Sequence, residues 1–178
     1  MGLLLLGDLM KGNLTRRTER KAKVKQLLRL MFGFNLIIFS CPRGKGEVAE
    51  MEFRTIVADD YEAVRRFLSE LGWQHRVSDA EKFRKMLENT NRAIVAVDNS
   101  RVVGFARALC DEVSNGYISM VAVAEDRRGQ GVGRELVRQL IKEDTGITWI
   151  LRAGRGSKGF WEKLGFKVSE VAMERVRR

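Results

Sequence analysis

The chain has 178 residues, which sets one domain as the expectation and allows a substantial core. Its 44% hydrophobic and 31% charged residues fit an ordinary globular protein. Two cysteines, Cys41 and Cys110, without metal-ligand spacing argue against a disulfide scaffold and for a reducing, cytoplasmic setting. A single histidine, His75, excludes a His-based metal centre or a Ser-His triad, and no metal is expected.

The net charge of +10 raises the question of nucleic acid, but its distribution argues against it. Residues 1–50 hold ten Lys/Arg against four Asp/Glu, and residues 51–178 hold 23 against 19. No nucleic-acid partner is therefore expected of the larger part.

Residues 1–50 differ in composition from the rest. A basic run, Arg16 to Arg29, precedes the apolar stretch Leu30 to Cys41, which is too short to span a bilayer and is interrupted by Gly33 and Asn35. The segment reads as an N-terminal extension outside the fold, either from a mis-assigned start or as a peripheral anchor. Membrane contact is expected, if at all, only through it. The folded domain is expected over 51–178.

Within that domain, Met51 to Val57 has a strand pattern. Asp59 is positioned to cap a helix from Asp60 to Leu71, which Gly72 ends. Ser78, with Glu81 three residues on, forms a capping-box pattern before a helix buried through Phe83, Met86 and Leu87. Arg92 to Val97 and Arg101 to Leu109 form a hairpin around Asp98-Asn99-Ser100. Ser114-Asn115-Gly116 turns into a strand from Tyr117 to Ala124. A helix buried through Leu136, Val137, Leu140 and Ile141 follows, then a strand Ile147 to Leu151. A short helix Ser157 to Leu164 and a final strand Phe166 to Val176 complete the set.

The most informative stretch joins the strand ending at Ala124 to the helix after Gly133. It reads Arg128-Gly129-Gln130-Gly131-Val132-Gly133. Glycines at a helix start let the backbone approach a ligand, and the unpaired first-turn N–H groups favour phosphate. A nucleotide P-loop needs Lys-Ser or Lys-Thr after the last glycine, but Arg134-Glu135 follows. A dinucleotide fingerprint needs a glycine at position 134, which is Arg. The spacing present is R-x-x-G-x-G. Downstream stands Gly159-Phe160-Trp161-Glu162-Lys163-Leu164-Gly165-Phe166.

The two motifs, in this order and separation, resemble the GNAT acetyltransferase superfamily over residues 51–178. The resemblance implies an α/β fold: a mixed, mostly antiparallel sheet with helices on both faces. It implies acetyl-CoA as co-substrate, held in a cleft between the strands Tyr117–Ala124 and Ile147–Leu151. The pyrophosphate would meet the backbone of Arg128, Gly129, Gln130, Gly131, Val132, Gly133 and Arg134. The pantetheine arm would lie against Val121, Ala122 and Val123, with Phe160 and Trp161 beside it. The Val121 N–H would serve as oxyanion donor. Arg127, Arg134 and Arg138 could add charge.

Acid and base are where this chain departs from the resembling family. Many members carry a glutamate at the position of Tyr117, and a tyrosine at the position of Trp161 to protonate the leaving thiolate. Indole has no proton to give near neutral pH. Candidate bases are Asp111, Glu112 and Tyr117, with Ser119 through water and His75 from the loop after the first helix. Arg107, Trp73 and Trp149 are candidate acceptor-pocket residues. Arg152, Arg155 and Lys158 form a basic loop that could meet the 3′-phosphate of CoA or an acidic acceptor.

The resemblance implies an acyltransferase moving acetyl from acetyl-CoA to a primary amine by direct attack in a ternary complex. A small-molecule amine is the favoured acceptor, and the protein is expected as monomer or homodimer. A protein lysine or N-terminus as acceptor, and a catalytically inactive CoA-binding module, are the alternatives.

Overall fold

Strand Ile38–Ser40 (β1) pairs antiparallel with Glu50–Thr55 (β2) at one edge of a six-stranded sheet. The computed structural model describes residues 38–40, 50–142 and 145–175. From β1 the sheet runs in chain order through Arg92–Asp98 (β3), Arg101–Cys110 (β4), Asn115–Val123 (β5) and Thr148–Leu151 (β6). Every pairing is antiparallel except β5 with β6. A parallel pair needs a crossover, and helix Val132–Ile141 (α4) supplies it.

The remaining helices are Tyr61–Leu68 (α1), Gln74–Val77 (α2), Ala80–Glu88 (α3) and Lys158–Glu162 (α5). Among the described residues no helix is long and apolar enough to cross a membrane.

Helices cover both faces of the sheet. A Cβ on Gly104 would lie 2.8 Å from Leu136 Cδ1, so only glycine lets β4 approach α4 this closely. Strand alternation then turns the fully buried Val103 and Phe105 to the opposite face, beneath α1. Val64, Phe67 and Leu68 of α1 and Phe83 and Leu87 of α3 are buried in that layer. Val132, Leu136, Val137 and Leu140 fill the α4 side. Burying each large side chain contributes about 1.5–3 kcal/mol.

Several expected boundaries move, each for a local reason. Asp60 rather than Asp59 anchors the start of α1: its carboxylate accepts from the Val57 N–H at 2.9 Å and from Arg54 at 2.6 and 2.8 Å. Past Leu68 the helix widens into a π turn, Ser69–Trp73, and breaks at Gly72 with φ 81°. Asp79, not Ser78, caps α3, accepting from the Lys82 N–H at 3.0 Å; the Ser78 N–H belongs to the preceding turn, bonded to Gln74 O. The β3–β4 hairpin turns at Asn99 and Ser100, with φ 49° and 65°, the paired positive angles of a tight hairpin turn.

The next turn falls at Asp111–Ser114, starting three residues before the expected Ser114–Gly116, because Asp111 Oδ1 gathers the N–H groups of Val113, Ser114 and Asn115. The expected final strand from Phe166 to Val176 does not form over residues 166–175, and Val176 lies outside the described residues. Nor does the sheet edge coincide with the boundary drawn at Met51, since β1 comes from the segment before it. The other features read in residues 1–37 and 41–49, Cys41 among them, lie outside the described residues.

Candidate active site

The ladder between β5 and β6 stops early. Their pairing runs from Asn115↔Thr148 to Ile118↔Leu151 and ends there, while β5 continues to Val123 along β4. Ser119 is an extra residue in the β4–β5 register, between Arg107↔Met120 and Ala108↔Ile118. Such a bulge bends a strand and raises its twist, which helps the two strands part.

The Ala124 N–H donates to Val103 O at 2.9 Å. Antiparallel alternation therefore turns Ala122 toward β4, and turns the N–H and C=O of Val121 and Val123 to the opposite, uncovered edge. Arg128 Nε reaches Val123 O on that edge at 3.4 Å.

The strand leads straight into the glycine turn. Gly129 and Gly131 have φ 75° and 84°, angles at which any other residue is strained. Gly131 is the N-cap of α4 and supplies no side chain, and the first backbone bond of the helix is Glu135 N–H to Gly131 O at 3.0 Å. The N–H groups of Val132, Gly133 and Arg134 thus have no partner among the described residues. Three free donors at the positive end of a helix dipole form an anion site.

Two cavities flank this region. One, of about 640 Å³, is lined by the glycine turn, Arg134, Arg138, Phe160 and Lys163. The other, of about 580 Å³, is lined by Tyr117 to Val121 on β5, by Trp73 and His75, and by the loop and helix carrying Arg155 and Trp161. Phe160 lines both. A Cβ on Gly133 would lie 3.3 Å from Phe160 Cε2 and 3.5 Å from Val123 Cγ2, so helix start, strand edge and α5 converge. The two cavities meet at Phe160, one at the start of α4 and one beside the β5 bulge.

A family model for the acetyltransferase (GNAT) domain matches residues 89–168, which hold both the strand edge and the glycine turn. Over those residues the chain is similar to the GNAT acetyltransferase domain. A curated relative, the uncharacterized N-acetyltransferase ycf52 of Pyropia yezoensis, is 34% identical over 103 residues. That match covers 54% of this chain and 58% of the relative, so it spans less than two thirds of the relative's length.

Solved structures share the fold. One is a Staphylococcus aureus protein described as a probable acetyltransferase, at TM-score 0.62 and 18% identity, covering 72% of this chain and 99% of that one. Another is a predicted acetyltransferase from Clostridium acetobutylicum solved with acetyl-CoA, at TM-score 0.58 and 16% identity, covering 71% and 96%.

Within this cleft the expected site residues separate into two groups. Val121, Tyr117, Ser119, His75, Trp73, Phe160 and Trp161 line it. Trp161 is buried, edge-on to Phe160 at 5.0 Å and to Phe166 at 5.3 Å.

Asp111 and Glu112 stand apart at the hairpin tip. Three backbone N–H groups and the Ser114 hydroxyl hold the Asp111 carboxyl far below the usual carboxylate range. The Arg92 guanidinium lowers that of Glu112. Trp149 packs over Gly116, where a Cβ would meet its ring at 2.2 Å, and under Arg92.

The basic residues divide similarly. Arg127 is drawn to the buried Asp98, at 2.6 Å, instead of to the glycine turn. Arg128 pairs with Glu125 at 3.3 Å, and Arg138 with Glu135 at 2.7 Å. Arg134, on the phosphate-end cavity, has no side-chain partner among the described residues.

Sequence reasoning singled out Arg107 without its partners. Its guanidinium is buried and, among the described residues, bonded to two hydroxyls, Thr90 Oγ1 at 2.6 Å and Ser119 Oγ at 2.9 Å. Burial pushes its pKa down from the usual arginine value. It also missed Lys163 and Arg76, which lie on exposed surfaces and carry no periodic signal.

Proposed function

We propose that this protein is an acetyl-CoA-dependent N-acetyltransferase that moves the acetyl group to the primary amine of a small molecule by direct attack in a ternary complex. The observation that carries this reading is the edge of β5 at Val121 and Val123, which has no strand partner among the described residues and runs into the three N–H groups left open at the start of α4. An extended arm with a peptide-like amide can pair with such an edge while its pyrophosphate meets the helix start.

The backbone from Arg128 to Arg134 holds the pyrophosphate, with charge from Arg134, Arg138 and Lys163 on the same cavity. Val121, Ala122 and Val123 carry the arm, and Phe160 and Trp161 wall it. The amine nitrogen attacks the thioester carbonyl. The oxygen becomes an oxyanion, to which the Val121 N–H donates. Collapse then breaks the carbon–sulfur bond. A thiol of pKa about 8.5 leaves tolerably without a tyrosine acid, so Trp161 acts by packing.

Tyr117, Ser119 and His75 line the cleft and serve the amine proton, directly or through water. Asp111 and Glu112 remain candidates by residue type only, since their oxygens are engaged in the hairpin. Cys110 Sγ accepts from the Glu112 N–H at 3.3 Å and does not line the cleft, which supports direct transfer over an acyl-enzyme. A cytoplasmic setting, where acetyl-CoA is supplied, and a monomer or homodimer complete the reading.

Calorimetric titration with acetyl-CoA, followed by a thiol-release assay over an amine panel, tests it. Absence of acetyl-CoA binding overturns the reading. Binding with no release from any amine, lysine peptides included, favours the inactive CoA-binding module instead.

A further inference from the structure

The acceptor end of the cleft is lined by arginines. The cavity beside the β5 bulge has His75 and Arg76 on one wall and Arg152 and Arg155 on the other. Among the described residues no aspartate or glutamate lines it. Arg152 is partly neutralised by Glu174 at 2.6 Å, and Arg76 lies over the Trp73 ring at 5.2 Å, which leaves its charge intact. Arg155 has no partner among the described residues. Behind Ser119 sits Arg107, buried and compensated by hydroxyls rather than by a carboxylate. A buried arginine without a counter-ion leaves its field on the cavity it adjoins.

We infer that the acceptor is a small amine that also carries a carboxylate, such as an amino acid, whose anionic group binds Arg155 and Arg76 while its nitrogen approaches the Val121 edge. The inference rests on the acetyltransferase reading above. Arginine forks match carboxylates in two-point geometry, which fixes the orientation of a small acceptor.

The same charges act on the nitrogen. A positive surrounding disfavours ammonium and lowers the amine pKa. The attacking group must be neutral, so the pocket supplies the reactive form without a carboxylate base. The titratable and charged side chains facing that nitrogen are His75, Arg76, Tyr117, Arg152 and Arg155, with Arg107 behind them.

The test uses the full chain and matched triplets: an amino acid, its carboxamide and the corresponding decarboxylated amine, for apolar, aromatic and acidic side chains. Thiol release is measured for each, and acetyl-CoA binding by calorimetry. The expected result is at least a tenfold higher kcat/KM for the carboxylate member of at least one triplet.

Arg155→Gln should lower that value about tenfold and shift the alkaline-rising limb of its pH profile to higher pH. It should leave the acetyl-CoA dissociation constant within twofold. Dephospho-CoA separates the other source of anion: if Arg155→Gln weakens CoA but not dephospho-CoA, Arg155 serves the 3′-phosphate and the inference is overturned. Preference for the carboxamide or the amine, or no release from any triplet while acetyl-CoA binds, overturns the acceptor assignment alone. Failure to bind acetyl-CoA overturns the underlying reading as well.

Discussion

Arg92 Nε donates to Glu112 Oε1 at 2.8 Å, joining the buried start of β3 to the hairpin beyond β4. The same guanidinium donates to Leu140 O at 3.2 Å and lies 5.2 Å from the Trp149 ring centre. One cation therefore fastens the hairpin, the C-terminal end of α4 and β6. Positive charge at a helix C-terminus is favourable, and this helix begins at the phosphate end of the cleft.

Glu112→Gln should accordingly lower stability, by less than the cost of about 1–3 kcal/mol for a fully buried partner, because the Glu112 side chain is nearly half exposed and solvent screens the pair. The urea midpoint measures it. The Arg92 hydrogen bond lowers the Glu112 pKa in the fold. Its contribution is then fully present above the unfolded carboxyl value of about 4.3 and is lost as pH falls through the lower folded value. The substituted protein should lack this part of the acid sensitivity. A displaced pH–rate limb with unchanged stability would instead make Glu112 the base.

Gly133→Glu should abolish acetyl-CoA binding in a folded protein. The new side chain starts 3.3 Å from Phe160 and adds negative charge beside three free N–H groups. Gly131→Glu should do the same with added strain, since φ there is 84°. Circular dichroism and calorimetry read fold and binding separately, and native affinity in either folded variant would remove the pyrophosphate assignment.

Trp161→Tyr should keep acetyl-CoA binding and keep or raise kcat, because general acid catalysis is worth typically 10²–10⁴-fold where it operates. Trp161→Ala should weaken binding and cost about 3–5 kcal/mol through lost packing with Phe160 and Phe166. Normal binding by the tyrosine variant with total loss of turnover would assign the indole a chemical role.

A protein beginning at Met51 should fold and bind acetyl-CoA within tenfold of the full chain. Among the described residues it loses β1, three residues at the sheet edge, and Glu50 of β2, and the newly exposed β2 carries the charged pair Glu52 and Arg54. Charges on an edge strand oppose edge-to-edge association. A companion protein beginning at Ile38 isolates β1: if only the longer one stays soluble or binds, β1 belongs to the working fold.

What the sequence disclosed was periodic or local. Leu136, Val137 and Leu140 announced α4 by spacing, and the glycines at 129, 131 and 133 announced a backbone open to a ligand. Those features depend on neighbours a few residues away. Arg127 looked available for phosphate because nothing nearby in the chain shows that it ends on Asp98, 29 residues earlier. Asp111 looked like a base because an exposed turn carboxylate and one saturated by its own backbone read alike. Arg107 and Ser119 meet through strand register, which the bulge shifts by one residue.

The missing partner along half of β5 has a kinetic meaning. A ligand that completes the ladder at Val121 and Val123 does so with its arm, and the arm is the same before and after acetyl transfer. Binding energy gained there is uniform: it does not distinguish substrate from spent carrier. Free CoA should compete with acetyl-CoA at nearly equal affinity, so the rate in a cell would follow the ratio of the two more than the amount of either.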